Sequence, residues 1–428
     1  MVLKQLLSHL KRNSLEETFQ SAYRAHHSTE TALVRVVNDL LHVIDQGHCT
    51  LLNLLDLSSA FDTINHSLLL NRLKTTFGIS GTALSWFQSY LSNRKQIVVI
   101  DGFKSEQIPL ECGVPQGSVL GPVLFVLYVY PLSKVIRSFS VSYHQYADDT
   151  QFFGTETTKE LADVKATCVK CILGVRDWMR RNRLRLNDDK TEVMYVGNKK
   201  FTSDTHLTIG DTSIQIVDKV RNLGTFLDSG LSMDHHIDTM IKSLYCQLKR
   251  ISPIKQFLSG DATRKLVVSL LFSKLDYCNA LLFGVSEHKL RRLQTVQNSA
   301  ARLIFRRQRF VSATPLLRRL HWLPVHIRVK FKACVLVYRC LENTAPPYLT
   351  ELLKKYSTSR ALRSSSDSTR LAVPRIRTNA GARTFSHYGA YVWNTIPQSI
   401  RESKSLCVFK KSLKTFLFES FYDCCGRD

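Results

Sequence analysis

Asp148 and Asp149 stand side by side in Tyr146-Ala147-Asp148-Asp149, and Asp56 stands upstream in Leu55-Asp56-Leu57-Ser58-Ser59-Ala60-Phe61-Asp62. Between them lies Gly113-Val114-Pro115-Gln116-Gly117-Ser118. A lone aspartate pair is common in turns. Three carboxylates at the ends of two predicted strands, with a glycine-rich turn between, suit phosphoryl transfer assisted by two metal ions. Mg²⁺ is a hard cation that takes carboxylate oxygens and substrate phosphates. Two such ions about 3.5–4 Å apart can clamp the attacking and leaving oxygens of an in-line displacement. Asp56 and Asp148 would bridge them, with Asp149 beside; Mn²⁺ is the alternative ion. Gly113, Gly117 and Gly121 would let backbone approach a base or nucleotide closely.

The elements that must position these groups follow from periodicity. Helical spacing of Leu33, Val36, Val37, Leu40 and Leu41 predicts a helix from Glu30 to Val43, and a short apolar run from Thr50 to Leu57 predicts a buried strand ending near Asp56. Helices are expected over Asn65 to Gly78, Gly81 to Leu91, Val119 to Val135 and Lys159 to Arg181. A strand pair is expected over Gln96 to Gly102 and Glu106 to Cys112. Phe139 to Tyr146 and Thr150 to Phe153 read as a hairpin around Ala147-Asp148-Asp149. Lys190 to Val196 reads as a strand, and Leu207 to Ile216 as a further hairpin. From Asp234 onward the pattern is mainly helical, with Ser357 to Thr369 an exposed linker. Strands interrupted by helices, with an antiparallel hairpin at the centre, argue an α+β fold.

The chain has 428 residues, a formal charge of +24 and a pI near 9.7, which favours an anionic partner. Residues 1–240 carry 25 Lys+Arg and 25 Asp+Glu, whereas residues 241–428 carry 34 and 10, so the whole excess lies in the C-terminal part. A catalytic front and a nucleic-acid-gripping back would produce that split. The eleven scattered cysteines form no disulfide framework. Cys168 and Cys171 are a lone C-x-x-C without a second ligand pair, so buried thiols are expected there in a reduced, intracellular setting. The longest apolar stretch, Leu120 to Leu132, is too short to span a bilayer. A soluble protein of the cytoplasm or nucleus, without a membrane partner, is expected.

Leu55 to His66, Gly113 to Pro122 and Tyr146 to Gln151 resemble, in order and spacing, the three palm motifs of LINE-type (non-LTR) retrotransposon reverse transcriptases. The resemblance implies a right-hand polymerase palm with partial fingers, followed by a mainly helical basic thumb and a C-terminal region. The corresponding boundaries are 1–230, 231–355 and 356–428. It implies metal binding by Asp56, Asp148 and Asp149, with Asp62 structural. Phe61 takes the place of a steric gate against a ribose 2′-hydroxyl. Gln116, with Gly117, takes the place of a contact to template and nucleotide. Leu186 to Glu192 resembles the fourth motif, which makes Lys190 a general acid near pyrophosphate. Asn222-Leu223-Gly224 resembles a primer-grip turn. Gln20-Ser21-Ala22-Tyr23-Arg24 with His27-Ser28-Thr29 resembles a fingers motif in which Arg24 contacts the triphosphate. Ala22 and Tyr23 replace the customary Gly and Phe. The resemblance reaches Lys274 to Asn279 and His321 to Pro324. Family members carry more fingers sequence ahead of this point, so an N-terminally truncated member is expected.

The implied activity is RNA-directed DNA polymerisation. Its partners would be an RNA template, a DNA primer, deoxynucleotides and two Mg²⁺, within a ribonucleoprotein containing the element RNA. In the basic half, Leu290, Leu293, Val296, Ala300, Leu303 and Ile304 form an apolar helical stripe surrounded by Arg291, Arg292, Arg302, Arg306, Arg307 and Arg309. One face can pack while the arginines meet phosphates of a template–primer duplex. Trp322, Tyr338, Tyr348 and Trp393 are expected in the core. A different class of reading is a catalytically inactive remnant that only binds RNA or DNA. A third, an RNA-templated RNA polymerase, is disfavoured by Ala147 and Phe61.

Overall fold

The computed structural model describes residues 1–58, 60–154, 161–197, 206–210, 212–357 and 369–424. In chain order the first elements are α1 (Val2–Arg12), α2 (Thr29–Asp45), β1 (Thr50–Leu55), β2 (Leu57–Ser58), α3 (His66–Thr75) and α4 (Gly81–Leu91). Four two-residue strands follow: β3 (Lys95–Gln96), β4 (Val99–Ile100), β5 (Phe103–Lys104) and β6 (Ile108–Pro109). Then come α5 (Gly121–Val129), α6 (Leu132–Arg137), β7 (Val141–Tyr146), β8 (Asp149–Gly154) and α7 (Leu161–Arg181). The next strands are β9 (Arg185–Leu186), β10 (Glu192–Val196), β11 (His206–Ile209), β12 (Thr212–Val217), β13 (Lys219–Asn222) and β14 (Thr225–Asp228). Beyond these the described chain is helical: α8 (Asp234–Ile254), α9 (Gly260–Val267), α10 (Ser273–Leu275), α11 (Glu287–Ile304), α12 (Thr314–Arg319) and α13 (Val325–Leu341). The last are α14 (Pro347–Thr350), α15 (Asn379–Ala382), α16 (Phe385–Asn394), α17 (Gln398–Arg401) and α18 (Leu406–Cys424).

Two compact units result. The first comprises Met1–His27, Cys49–Tyr195 and Lys200–Val217. Its six-stranded sheet has the order β11-β12-β10-β1-β8-β7. β1 and β8 are antiparallel, with Leu55 opposite Thr150, and β8 and β7 are antiparallel, with Tyr146 opposite Asp149. Thr50, Leu51, Leu52 and Asn53 are all buried, which explains why β1 reads as a continuous apolar run rather than an alternating one. The core joins this sheet to α7 through Cys168, Cys171, Ile172 and Val175, and takes in Phe125, Tyr128 and Phe152. Desolvation pushes the Cys168 thiol up to about 11 and the Cys171 thiol up to about 12. Cys49, Cys112, Cys168, Cys171, Cys246, Cys278, Cys334, Cys340 and Cys407 are free thiols.

Two expectations need correction in this unit. The helix expected over 119–135 is two helices, because Pro131 has no backbone donor to continue the ladder of the first, although Tyr130 keeps helical backbone angles. The strand pair expected over 96–112 reduces to the short ladders β3–β6 and β4–β5. Val99, Ile100, Phe103 and Ile108 there are exposed, so no burial extends the pairing.

The second unit comprises Ser28–His48, Val196–Lys199 and Asp218–Asp428. Compactness thus groups α2 with the helical C-terminal residues, although α2 lies inside the stretch expected to hold fingers and palm. Ser28 starts α2 with a reciprocal cap, its hydroxyl accepting from Thr31 N and Thr31 Oγ1 accepting from Ser28 N. At the far end, the Asp45 carboxylate accepts from Arg377 N at 3.0 Å, Thr378 N at 2.7 Å and Thr378 Oγ1 at 2.8 Å. Tyr348 donates to Thr31 Oγ1 at 3.1 Å and Lys332 pairs with Glu30 at 3.0 Å. Trp322, Tyr338, Tyr348 and Trp393 are buried, as expected from their surroundings. Residues 358–368, most of the expected linker, lie outside the described residues. Among the described residues no helix is long and apolar enough to cross a membrane.

Phe152 sits in the middle of β8 and is fully buried. Phe152→Ala should destabilise the first unit by about 3–5 kcal/mol. Ile100→Ala, at an exposed position, should change stability by less than about 0.5 kcal/mol. Urea unfolding of the two variants checks the contrast.

Candidate active site

β1 ends at Leu55, and Asp56 is the single residue between it and β2. Opposite, the β7–β8 hairpin turns at Ala147-Asp148, so Asp148 lies in the turn and Asp149 opens β8. Because Leu55 faces Thr150, the register sets the end of β1 against the start of β8. A second ladder brings in the fourth predicted segment. β2 pairs with β9, Leu57 opposite Leu186, and Asn187 N donates to Asp56 O at 2.9 Å. The chain then makes one 3₁₀ turn, Asp188–Lys190, which places Lys190 Nζ 3.4 Å from Asp56 Oδ2. Sequence-distant Asp56, Asp148, Asp149 and Lys190 thus share one site.

The electrostatics agree with the geometry. Desolvation raises the Asp148 carboxyl, with Asp56 adding to the rise and Lys190 opposing it. Asp149 is pushed up to about 6, first by desolvation, then by Asp148 and Asp56. It retains solvent exposure, so water screens part of this repulsion. Asp56 Oδ2 is sealed from solvent and accepts no hydrogen bond among the described residues, with the Lys190 ammonium 3.4 Å away. Crowded carboxylates with an unused buried oxygen fit a cation. Among the described residues, no three His, Cys, Asp or Glu side chains are already drawn together as a ligand shell. That is compatible with Mg²⁺, which substrate phosphates and water complete.

The segment 113–121 is laced to the residues after Asp56. Gly113 N donates to Ile64 O at 2.8 Å, Val114 N to Phe61 O at 3.0 Å, and His66 Nε2 lies 2.7 Å from Gly113 O. Gln116 Nε2 donates to both Asp62 oxygens, at 2.9 and 3.2 Å, which gives Asp62 its structural task. The expectation that all three glycines admit a ligand is corrected. A Cβ on Gly113 would lie 2.9 Å from Asp62 O, and one on Gly121 would lie 2.8 Å from Pro115 O, so the chain's own backbone fills both spaces. Only Gly117, at φ +78, has nothing within 4 Å of that position. Phe61 is half-buried with its ring stacked on Phe125, centroids 4.8 Å apart.

Gln20 is a site residue that the sequence reading quoted without a role. It is buried, and its Oε1 accepts from Ala22 N at 2.9 Å and Ala147 N at 3.0 Å. Ala147 has φ +56, a left-handed conformation that a non-glycine residue rarely adopts. Gln20 therefore secures the strained residue immediately before Asp148. Ser21 N donates to Gln145 O and Gln145 N to Phe19 O, which lay this segment along β7. Arg24 donates to Glu17 O, to Gln20 O at 2.9 Å and to Glu16 Oε2 at 3.2 Å. Its guanidinium is engaged in holding the Gln20 loop. Tyr23 is half-exposed; burial raises its hydroxyl pKa, and Asp148 raises it further.

Residues 1–227 match the family described as reverse transcriptase (RNA-dependent DNA polymerase). The chain belongs to the reverse transcriptase family. Its relatives agree with the LINE-type (non-LTR) motifs. One, an RNA-directed DNA polymerase from mobile element jockey of Drosophila melanogaster, is 27% identical over 258 residues, 59% of this chain and 28% of that protein. The same fly's probable RNA-directed DNA polymerase from transposon X-element is 26% identical over 338 residues, 74% of this chain and 35% of that protein. This reverse transcriptase chain thus spans about a third of the length of the curated relatives it matches. Apo telomerase from Candida tropicalis, truncated from its C-terminal domain, aligns with a TM-score of 0.38 at 16% identity. That alignment covers 53% of this chain and 44% of the telomerase.

In the second unit of this reverse transcriptase, Asn222-Leu223-Gly224 forms the β13–β14 turn, and Tyr277 donates to Leu223 O at 2.7 Å. The stripe on α11 is buried at Leu290, Leu293, Val296, Ala300 and Ile304, with Leu303 half-buried. The arginines need correction, because α11 ends at Ile304 and Arg306, Arg307 and Arg309 lie beyond it. Arg291 pairs with Glu287 at 3.1 Å and Arg292 with Asp238. Arg302 Nε donates to Val311 O at 2.7 Å, so it braces the loop after the helix.

Two outcomes follow from this geometry. Gln20→Ala orphans two buried amides, at about 1–3 kcal/mol each. It should speed hydrogen exchange across 141–154 while Gln20→Glu, which keeps the acceptor, preserves protection. Asp149 has a folded-state pKa above its ordinary value, so its contribution to stability is lost as pH rises from about 4 through about 6. Without divalent ions, Asp149→Asn should raise the melting temperature over wild type near pH 7.5 and not near pH 4, read by thermal unfolding in chelator.

Proposed function

We propose that this chain is the polymerase portion of a LINE-type element, copying RNA into DNA by nucleotidyl transfer from dNTP to a primer 3′-hydroxyl. The observation that carries the reading is the meeting of Asp56, Asp148, Asp149 and Lys190 through two separate ladders. Asp56 and Asp148 would hold two Mg²⁺ or Mn²⁺, with Asp149 beside them. Bound there, the ions would activate the primer hydroxyl and neutralise charge on the leaving pyrophosphate.

The chain's own residues supply positioning. Lys190 is 68% exposed at its side chain, free to swing from Asp56 toward a pyrophosphate oxygen and give it a proton. Phe61, backed by Phe125, is the gate that excludes a ribose 2′-hydroxyl by volume. Gln116 has its amide nitrogen committed to Asp62 and keeps its carbonyl oxygen for template or nucleotide, beside the open face of Gly117. Arg24 steadies the loop that secures the hairpin and reaches the triphosphate only by releasing Glu16. Residues 1–230 serve as partial fingers and palm, 231–355 as a thumb-like region and 356–428 as a basic C-terminal region. The partners are an RNA template, a DNA primer and deoxynucleotides, in a ribonucleoprotein with the element RNA.

Primer extension on poly(rA)/oligo(dT) with Mg²⁺ tests this. Wild type should extend, and Asp148→Ala/Asp149→Ala should lose at least about a thousandfold, consistent with removal of the groups that stabilise transition-state charge. Phe61→Ala should keep dNTP extension and gain rNTP incorporation. Salt-sensitive duplex binding without extension by wild type would instead identify an inactive binding remnant.

A further inference from the structure

The strongest feature outside the palm lies just past α11. Residues 302–311 read Arg-Leu-Ile-Phe-Arg-Arg-Gln-Arg-Phe-Val, with four arginines and no acid. Phe310, at the end of this run, is 84% exposed. Phe257, in the turn after α8, is 81% exposed. These two segments are joined. Arg306 Nη2 donates to Lys255 O at 3.0 Å and Leu258 O at 3.2 Å, carbonyls that flank Phe257. The guanidinium therefore fixes one phenylalanine-bearing turn against the base of the other. Arg319 adds a further cation, 5.1 Å from the Phe305 ring centroid. Among the described residues, no ion pair claims Lys255, Arg307 or Arg309. The nearest acid in the Phe257 segment, Asp261, is paired with Lys265 at 2.8 Å.

An exposed phenylalanine alone is ordinary. Two rings at this exposure, on loops tied by an arginine and edged with unpaired cations, have a specific complement. Their faces can stack on unpaired bases while the cations meet the flanking phosphates. A closed duplex hides its base faces and would use only the cations.

We propose that Phe257 and Phe310, with Lys255, Arg307 and Arg309, form a stacking platform for single-stranded nucleic acid, with Arg306 as its brace. The proposal rests on the reading of this chain as a polymerase, since it names how template ahead of or released from the duplex is held. It also moves the expected nucleic-acid contact from the flank of α11 to the loop beyond its end. Binding is sequence-tolerant, because every base offers a π-face.

The test uses the whole chain and fluorescence anisotropy with a labelled oligo(U) 12-mer and a blunt RNA–DNA duplex. Phe257→Ala and Phe310→Ala should each weaken oligo(U) binding about fivefold or more. Both should leave its salt slope and the duplex affinity unchanged. Arg307→Ala/Arg309→Ala should lower the slope for oligo(U) by roughly 1.4, the value for two phosphate contacts on a single strand. A 5-iodouracil oligonucleotide should photocrosslink to the peptides containing Phe257 or Phe310. Wild-type oligo(U) affinity in both phenylalanine variants, or crosslinks elsewhere only, overturns the platform. Loss of binding to phosphatidylserine-containing vesicles, with oligo(U) affinity intact, also overturns it and marks a membrane-facing patch. Asp148→Asn separates the two readings, because it should abolish extension and keep oligo(U) affinity. Oligo(U) affinity without extension by wild type would refute the polymerase reading and leave the platform standing, whereas extension retained by Asp148→Asn would refute only the role given to Asp148.

Discussion

The crowding of Asp148 and Asp149 into partly buried positions beside Asp56 is the constraint on which the first unit is organised. Burial raises the cost of ionising Asp148 and Asp149, Asp56 adds to both, and Asp148 adds further to Asp149. A loose chain would relieve the strain by moving the groups apart. Here each is tied at its backbone. Asp56 is bracketed by β1 and β2, and its carbonyl accepts from Asn187. Asp149 is locked opposite Tyr146, and the turn before Asp148 is secured by Gln20. The sheet, the short β2–β9 ladder and the Gln20 loop are therefore parts of one device that keeps unfavourable charges close. The strain stored at Ala147 belongs to the same device.

How much of this could be read from the residues depended on distance along the chain. α4 begins and ends where its pattern predicts, and the hairpin around Ala147 is as expected, because local spacing carries both. Asp56, Asp148, Asp149 and Lys190 were legible as a group only through motif order, since no periodicity says that β2 will pair with β9. Gln20 stayed hidden as a structural part because its partner, Ala147, is 127 residues away and offers only backbone atoms. The fate of the glycines was hidden for a similar reason. Gly113 and Gly121 answer to the carbonyls of Asp62 and Pro115, and only the folded chain reveals that close approach. Pro131, by contrast, was in plain view, and a continuous apolar run masked its local effect.

Charge tells a different story in the second unit. A helix with an apolar stripe and many arginines invites the reading that every arginine faces a phosphate. Arg292, Arg302 and Arg306 instead meet Asp238, Val311 O and backbone carbonyls of the 255–258 turn. Guanidinium groups present five donors in a rigid fork, so they serve as well for bracing loops as for gripping anions. Net charge alone could not separate these uses.

The membership of α2 in the second unit has a consequence for synthesis on the ribosome. Asp45 is made 333 residues before its partner Thr378. At roughly 5–20 residues per second, α2 emerges about 15–70 s before that partner exists. During this interval the apolar side of α2, including Leu33, Val36, Val37, Leu40 and Leu41, lacks its final neighbours. The first unit's strands are completed meanwhile, on either side of this waiting helix in the chain. Nascent protein therefore passes through a stage in which the first unit's sheet can be formed while a sticky helix is still unclaimed, and a chaperone would find it then.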